Sequence, residues 1–140
     1  MNGQPKHAAA CLLVLLTGCQ TWNTIVLSVP AGKNDAVRAA FSEVSRSVGL
    51  STCATWKVTV RDADECFGGN LGNNHITVAA MADERRYVIK LGVYSSGIYD
   101  ADTFAALELR YRTMLQEYFP RADIAREESR SLLTVEQKPN

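Results

Sequence analysis

His75, a pair of cysteines and a short acidic run are the residues of this chain whose types could do chemistry. Cys53 and Cys66 lack the C-x-x-C spacing of a redox pair, and His75 alone does not complete a tetrahedral metal site around them. Asp62, Asp64 and Glu65 put carboxylates at alternate positions, a beginning for calcium. Calcium takes about six to eight oxygens on a loop with a defined glycine turn. That loop is missing, so the cluster reads as the solvated end of a strand. Gly68, Gly69 and Gly72 suggest a phosphate cradle, but no Lys-Ser/Thr follows and no helix opens there. They read as a turn or a flexible recognition loop. Neither a G-x-S-x-G elbow nor an H-E-x-x-H helix is present. Catalysis needs a base, a nucleophile or a metal within reach of one another. With His75 read as a surface or edge histidine, the expectation is a protein that is not an enzyme and holds no metal or cofactor. A dispersed active site would require His75 in a pocket beside one of the carboxylates.

The N-terminus carries a different kind of chemistry. Lys6 precedes an apolar run from Ala8 to Leu16, followed by the small residues Thr17 and Gly18 and then Cys19. This is a charged region and a hydrophobic region of secretory-signal length. The run is too short to span a hydrocarbon core, which takes about 20 helical residues. Leu16-Thr17-Gly18-Cys19 resembles the lipobox of bacterial lipoproteins. The resemblance covers residues 1–19. It implies removal of residues 1–18, a diacylglycerol on the Cys19 sulfur and acylation of the new amine. Each buried methylene contributes about 0.8 kcal/mol, so three chains on one residue hold a domain to a leaflet where one chain binds marginally. Gln20 stands where an Asp would favour inner-membrane retention. The resemblance therefore implies an outer-membrane anchor facing the periplasm.

That compartment permits disulfides. Cys11 leaves with the signal and Cys19 takes the lipid, so Cys53 and Cys66 are expected to pair. The bridge would close a loop of roughly 14 residues, worth about 3 kcal/mol in the chain-entropy model. Removing residues 1–18 from 140 leaves 122 residues with 14 basic and 15 acidic side chains. This length fits one domain with a real core. The near-neutral balance argues against nucleic acid, which demands a basic face.

Periodicity gives the elements that must position these groups. Residues 19–23 read as a lipidated tether, with Trp22 either at the headgroup level or in a core or edge contact. Ile25, Leu27 and Val29 alternate as a strand over 24–29. Asn34 or Asp35 caps a helix whose buried face is Val37, Phe41, Val44 and Val48, and Gly49 ends it. Trp56, Val58 and Val60 alternate with Lys57, Thr59 and Arg61 in a second strand, and residues 66–74 form a turn-rich loop. The two ends of that second strand lie about 20 Å apart. A Cys53–Cys66 bridge therefore requires the glycine-rich loop to fold back along it. Residues 75–81 and 86–94 form a hairpin with Tyr87, Ile89, Leu91 and Val93 on one face. Asp102 or Thr103 caps a second helix with a stripe of Phe104, Leu107, Tyr111, Leu115 and Tyr118, and Pro120 ends it. A last strand follows Ala122, to about Leu133, and residues 134–140 read as a frayed tail.

The order β-α-β-β-β-α-β is expected to give an α+β domain over 24–133. Its antiparallel sheet of four to five strands, with two helices on one face, would resemble a ferredoxin-like sandwich. Function lives in sites and does not follow from the fold. Tyr94, Ile98 and Tyr99 around Ser95-Ser96-Gly97 offer contact area at low entropy cost, as protein-binding surfaces do. The other reading has both rings covering the end of the core. The expected function is a non-catalytic lipoprotein that binds another envelope protein, as an assembly accessory or an immunity-type protein. The rival is a small-ligand binder using the sheet face opposite the helices, lined by Lys57, Thr59 and Arg61. A cavity with converging polar groups there favours the ligand, and a flat solvated face favours a protein.

Overall fold

The computed structural model describes residues 20–56, 58–129 and 135–137. It is an α+β protein built on a six-stranded antiparallel sheet. The elements are β1 (Gln20–Pro30), α1 (Asn34–Ser47), β2 (Ser51–Thr52), a single helical turn α2 (Cys53–Trp56) and β3 (Val58–Val60). They continue with β4 (Glu65–Leu71), β5 (Asn74–Ala82), β6 (Arg86–Ser96), α3 (Ala101–Tyr118), β7 (Ala125–Ser129) and β8 (Val135–Gln137). The sheet order is β2-β4-β5-β6-β1-β7, while β3 pairs with β8 in a separate two-stranded ribbon.

Alternation decides which face of the sheet is dry. Ile25, Leu27 and Val29 of β1 lie opposite Leu91, Ile89 and Tyr87 of β6. Ile76, Val78 and Ala80 of β5 lie opposite Val93, Leu91 and Ile89. All are buried. Onto this face α1 packs Val37 and Phe41, and α3 packs Phe104, Leu107, Tyr111, Met114 and Leu115. Phe41 is the hinge of the packing. Its ring stands edge-on to Phe67 of β4 at 5.8 Å and lies 5.4 Å from Tyr111 of α3. Such pairs contribute about 0.5–1.5 kcal/mol beyond their area burial. One polar contact is sealed into the same layer, a 2.8 Å hydrogen bond between the Ser45 and Tyr111 hydroxyls that joins the two helices. Burial pushes the Tyr111 phenol above its ordinary range, opposed by that bond, so it stays neutral.

Several expectations are corrected. The sheet has six strands rather than four or five. Residues 66–71, read as loop, are most of β4, because the chain reverses at a two-residue Gly72-Asn73 turn with Gly72 at φ +57° and pairs along β5. Glycine is tolerated inside this strand because Gly69 lies under Leu50, whose Cδ2 would sit 3.2 Å from an added Cβ. β1 begins at Gln20, inside the stretch read as a tether, and Val135–Gln137 in the expected tail is β8. Helix α1 has no side-chain cap, since its N-cap is Lys33 in a left-handed conformation, and Ser45 replaces Val44 on the fully buried stripe. The cap of α3 is Asp100.

The cysteines meet by another route than the expected one: the glycine-rich residues do not fold back along Val58–Val60, which pairs with β8, but run in β4 beside β2. Ser51 pairs with Gly68 and Thr52 with Phe67, so Cys53 and Cys66 fall in the next position of the same register. They are disulfide-bonded, with Cα atoms 5.3 Å apart.

The Ser45–Tyr111 bond can be tested by a double-mutant cycle in urea unfolding. Ser45→Ala and Tyr111→Phe each leave one buried hydroxyl unpaired and are expected to cost about 1–3 kcal/mol. The double variant is expected to cost less than the sum; strictly additive losses would mean that the two hydroxyls do not pair.

Candidate functional site

Three features of the surface have the character of a site. The first is the loop joining β6 to α3. Gly97 (φ +121°) turns the chain and leaves Ile98 with 82% of its surface exposed, the largest exposure of any bulky apolar side chain among the described residues. The loop is nonetheless fixed. The buried Asn74 side chain grips the Asp100 backbone twice, donating from Nδ2 to its carbonyl at 2.7 Å and accepting from its N–H at 3.1 Å. The Asp100 carboxylate accepts from the Thr103 hydroxyl at 2.6 Å and the Thr103 N–H at 3.1 Å. These donors, the hydroxyl first, hold its pKa below the ordinary aspartate value.

The second feature is a groove of about 580 Å³ between the outer faces of α1 and α3. Ala40, Val44, Ala106, Leu109 and Met114 give it an apolar lining, with Glu43, Arg110 and Glu117 among its polar residues. Leu109 is 61% exposed there. The small alanines set the helix backbones close to anything that fills the groove.

The third is a cleft of about 460 Å³ on the sheet face opposite the helices. Its apolar part is Val26, Met81 and Val88, and Asp62, Arg86, Lys90 and Glu127 bring charge to it. Val26 of β1 lies opposite Lys90 on one side and Glu127 on the other. Lys90 is half-buried and makes no ion pair among the described residues.

Of the residues singled out from sequence, Cys19 lies outside the described residues, as does Lys57. Tyr94, Ile98 and Tyr99 do not form one patch. Tyr94 alternates with the buried Val93 and Ser95, faces away from the helices and stacks on His75 with ring centroids 5.4 Å apart. Tyr99 lies on the helix side, edge-on to Phe104 at 6.3 Å, where burial raises its pKa. Ile98 is left as the exposed member. Of the ligand face expected at Lys57, Thr59 and Arg61, Thr59 belongs to β3, which pairs with β8 in a ribbon apart from the main sheet.

The acidic run is used structurally. Asp64 accepts from the Ala82 N–H at 2.8 Å, donates its own N–H to the Ala80 carbonyl and stands 3.9 Å from the Arg38 guanidinium. Among the described residues, no group of three or more His, Cys, Asp or Glu side chains is arranged to hold a metal. The buried Tyr87 hydroxyl and Arg38 Nε find no hydrogen-bond partner among the described residues. Desolvation raises the Tyr87 pKa, against the pull of Arg38.

Sequence reasoning pointed to the sheet face opposite the helices but named Lys57, Thr59 and Arg61 there instead of Lys90, and it passed over the groove. Leu109 on the outer side of α3 and Lys90 inside an apolar strand were the available signals. No protein-family model matches the chain, and no curated protein matches it either.

The Asp100 clamp gives a pH dependence with a definite sign. A carboxylate whose folded pKa is depressed adds stability above its unfolded pKa and loses it as pH falls through the folded value. Asp100→Asn keeps a capping oxygen but cannot ionise. The stability gap between wild type and this variant, measured by urea unfolding, is expected to be open above about pH 4 and to close below it. A gap that does not change with pH would show that the carboxylate charge plays no part.

Proposed function

We propose that this chain is a lipid-anchored envelope protein without catalytic activity, tethered through Cys19 to the periplasmic face of the outer membrane, and that it works by binding another protein. The observation that carries the reading is the α1–α3 groove with Leu109 open to solvent. Leu109, 61% exposed, opens onto a groove that sets Ala40, Val44, Ala106 and Met114 beside Glu43, Arg110 and Glu117, a mixture that lets a partner bury apolar surface and pair charge at once. The occupant that fits is a helix of an envelope protein with an apolar ridge and basic flanks. The ridge would seat against Ala40, Val44 and Ala106, and the basic flanks would meet Glu43 and Glu117, which outnumber Arg110 in the groove.

A photo-crosslinking residue at position 109 in living cells is the direct test, with one at Glu84 as the control. A single adduct specific to position 109 is expected, lost when Glu43→Lys and Glu117→Lys reverse the groove's charge. Formation during ordinary growth marks an assembly partner; formation only when a toxin is added marks an immunity role. No adduct specific to position 109 under either condition rejects the groove as the docking surface.

The sheet-face cleft favours a second reading, a small anionic ligand whose carboxylate or phosphate pairs with Lys90 while its body rests on Val26, Met81 and Val88. Such a ligand is expected to raise the melting temperature of the wild type and not of Lys90→Met. A panel of small organic acids and phosphates that stabilises neither, or both equally, removes this reading.

A further inference from the structure

We infer that the Gly97-Ile98 loop is a second membrane contact, seated in the headgroup region beside the lipid anchor. This rests on the proposed lipidation of Cys19. The strand register places the loop. Gln20, the first residue of β1 and the neighbour of Cys19, pairs with Ser96, the last residue of β6. Neighbouring strands lie about 4.8 Å apart, and two more residues lead from Ser96 to Ile98, so Ile98 stands on the order of 10 Å from Gln20, the residue that follows Cys19 in the chain. No residue separates Cys19 from β1, so nothing lets the domain lift away from the leaflet that holds its lipid.

The same end of the sheet is suited to that surface. Asn74 of β5 pairs with Ser95, which puts the Gly72-Asn73 turn at this end too. That turn and residues 95–99 carry no Asp, Glu, Lys or Arg. Charge near the loop comes from Asp100 and Asp102 at the start of α3 and from Glu108 and Glu128, which act on Tyr99 together with Asp100. Asp100 is bent back onto Thr103, away from the role of a free surface charge. The opposite end is its converse. The β5–β6 turn there is Asp83-Glu84-Arg85, Lys33 precedes α1, and Arg121 and Asp123 follow α3. An end bearing one projecting isoleucine and few charges, next to an acylated cysteine, fits a bilayer interface. A charged end fits water. Asn74 and the α3 cap hold the loop so that Ile98 projects without further ordering cost.

The test uses the full chain, lipidated in cells and reconstituted into phosphatidylethanolamine–phosphatidylglycerol vesicles. An environment-sensitive fluorophore is placed through Ile98→Cys or, as the control, through Glu84→Cys. The label at 98 is expected to shift to the blue, to escape aqueous iodide and to be quenched by nitroxide-bearing lipid. The label at 84 is expected to behave as if in water. A label at 98 as open to iodide as that at 84 overturns the contact. Incorporation of labelled palmitate at Cys19 is read on the same protein. Palmitate present with residue 98 in water defeats the loop contact alone, whereas no palmitate on Cys19 defeats the anchor and the contact together.

Discussion

The inner face of β6 is the constraint from which the structure follows. Tyr87, Ile89, Leu91 and Val93 are flanked on both sides, by β5 and by β1, and every one is buried. A slip of one residue against either neighbour would turn these four side chains away from the helices and put Val88 and Lys90 in their place. Burying an unpaired ammonium costs several kcal/mol, and withdrawing each large apolar side chain forfeits about 1.5–3 kcal/mol. No nearby register competes. Once β6 is fixed, β1 and β5 are fixed, and with them the loops gathered at each end of the sheet.

This also explains which parts of the fold were legible. The β5–β6 hairpin and both long helices declare themselves through local period, because their burial is decided by residues two to four positions apart. Strand β4 does not. Gly68, Gly69 and Asn70 are poor strand formers, and their conformation is imposed by β5 alongside, by Leu50 lying on Gly69 and by the disulfide from Cys66 to Cys53, just past the edge strand β2. The cysteines nevertheless held the clue. A bridge between them requires the glycine-rich residues to lie alongside an earlier strand, and the strand they form, β4, is the one composition argued against. The β3–β8 ribbon joins residues more than seventy positions apart, which no local signal reports.

The candidate surfaces were illegible for a related reason. The cleft draws on β1, β5, β6, β7 and the turn after β3, and the groove on two helices separated by five strands in the chain. Each residue alone has an ordinary explanation. Lys90 reads as the wet side of an alternating strand and Leu109 as a stray apolar residue on an exposed helix face. Only the packing shows that Lys90 lies half-buried beside Val26 in a cleft, and that Leu109 opens onto a groove instead of solvent alone. The tyrosines show the converse. Tyr94 and Tyr99 are near neighbours in sequence, but alternation along β6 and the Gly97 turn send them to opposite sides of the sheet.

Anchoring adds a geometric consequence. If Cys19 carries the proposed lipid, the chain leads from it into β1 at Gln20, and β1 runs the height of the sheet beside β6. The strands would then stand away from the bilayer with the β6–α3 loop below and the β5–β6 turn above. Helices α1 and α3 pack along this sheet, so their shared groove would open sideways into the periplasm, and the cleft would open on the other flank. A partner seated in the groove would approach parallel to the membrane, without competing with the bilayer for the Ile98 end. A small ligand entering the cleft would not meet that partner. The absence of any leash between Cys19 and β1 is what links these positions, since a flexible tether of even ten residues would reach roughly 15–20 Å and leave the domain free to tumble.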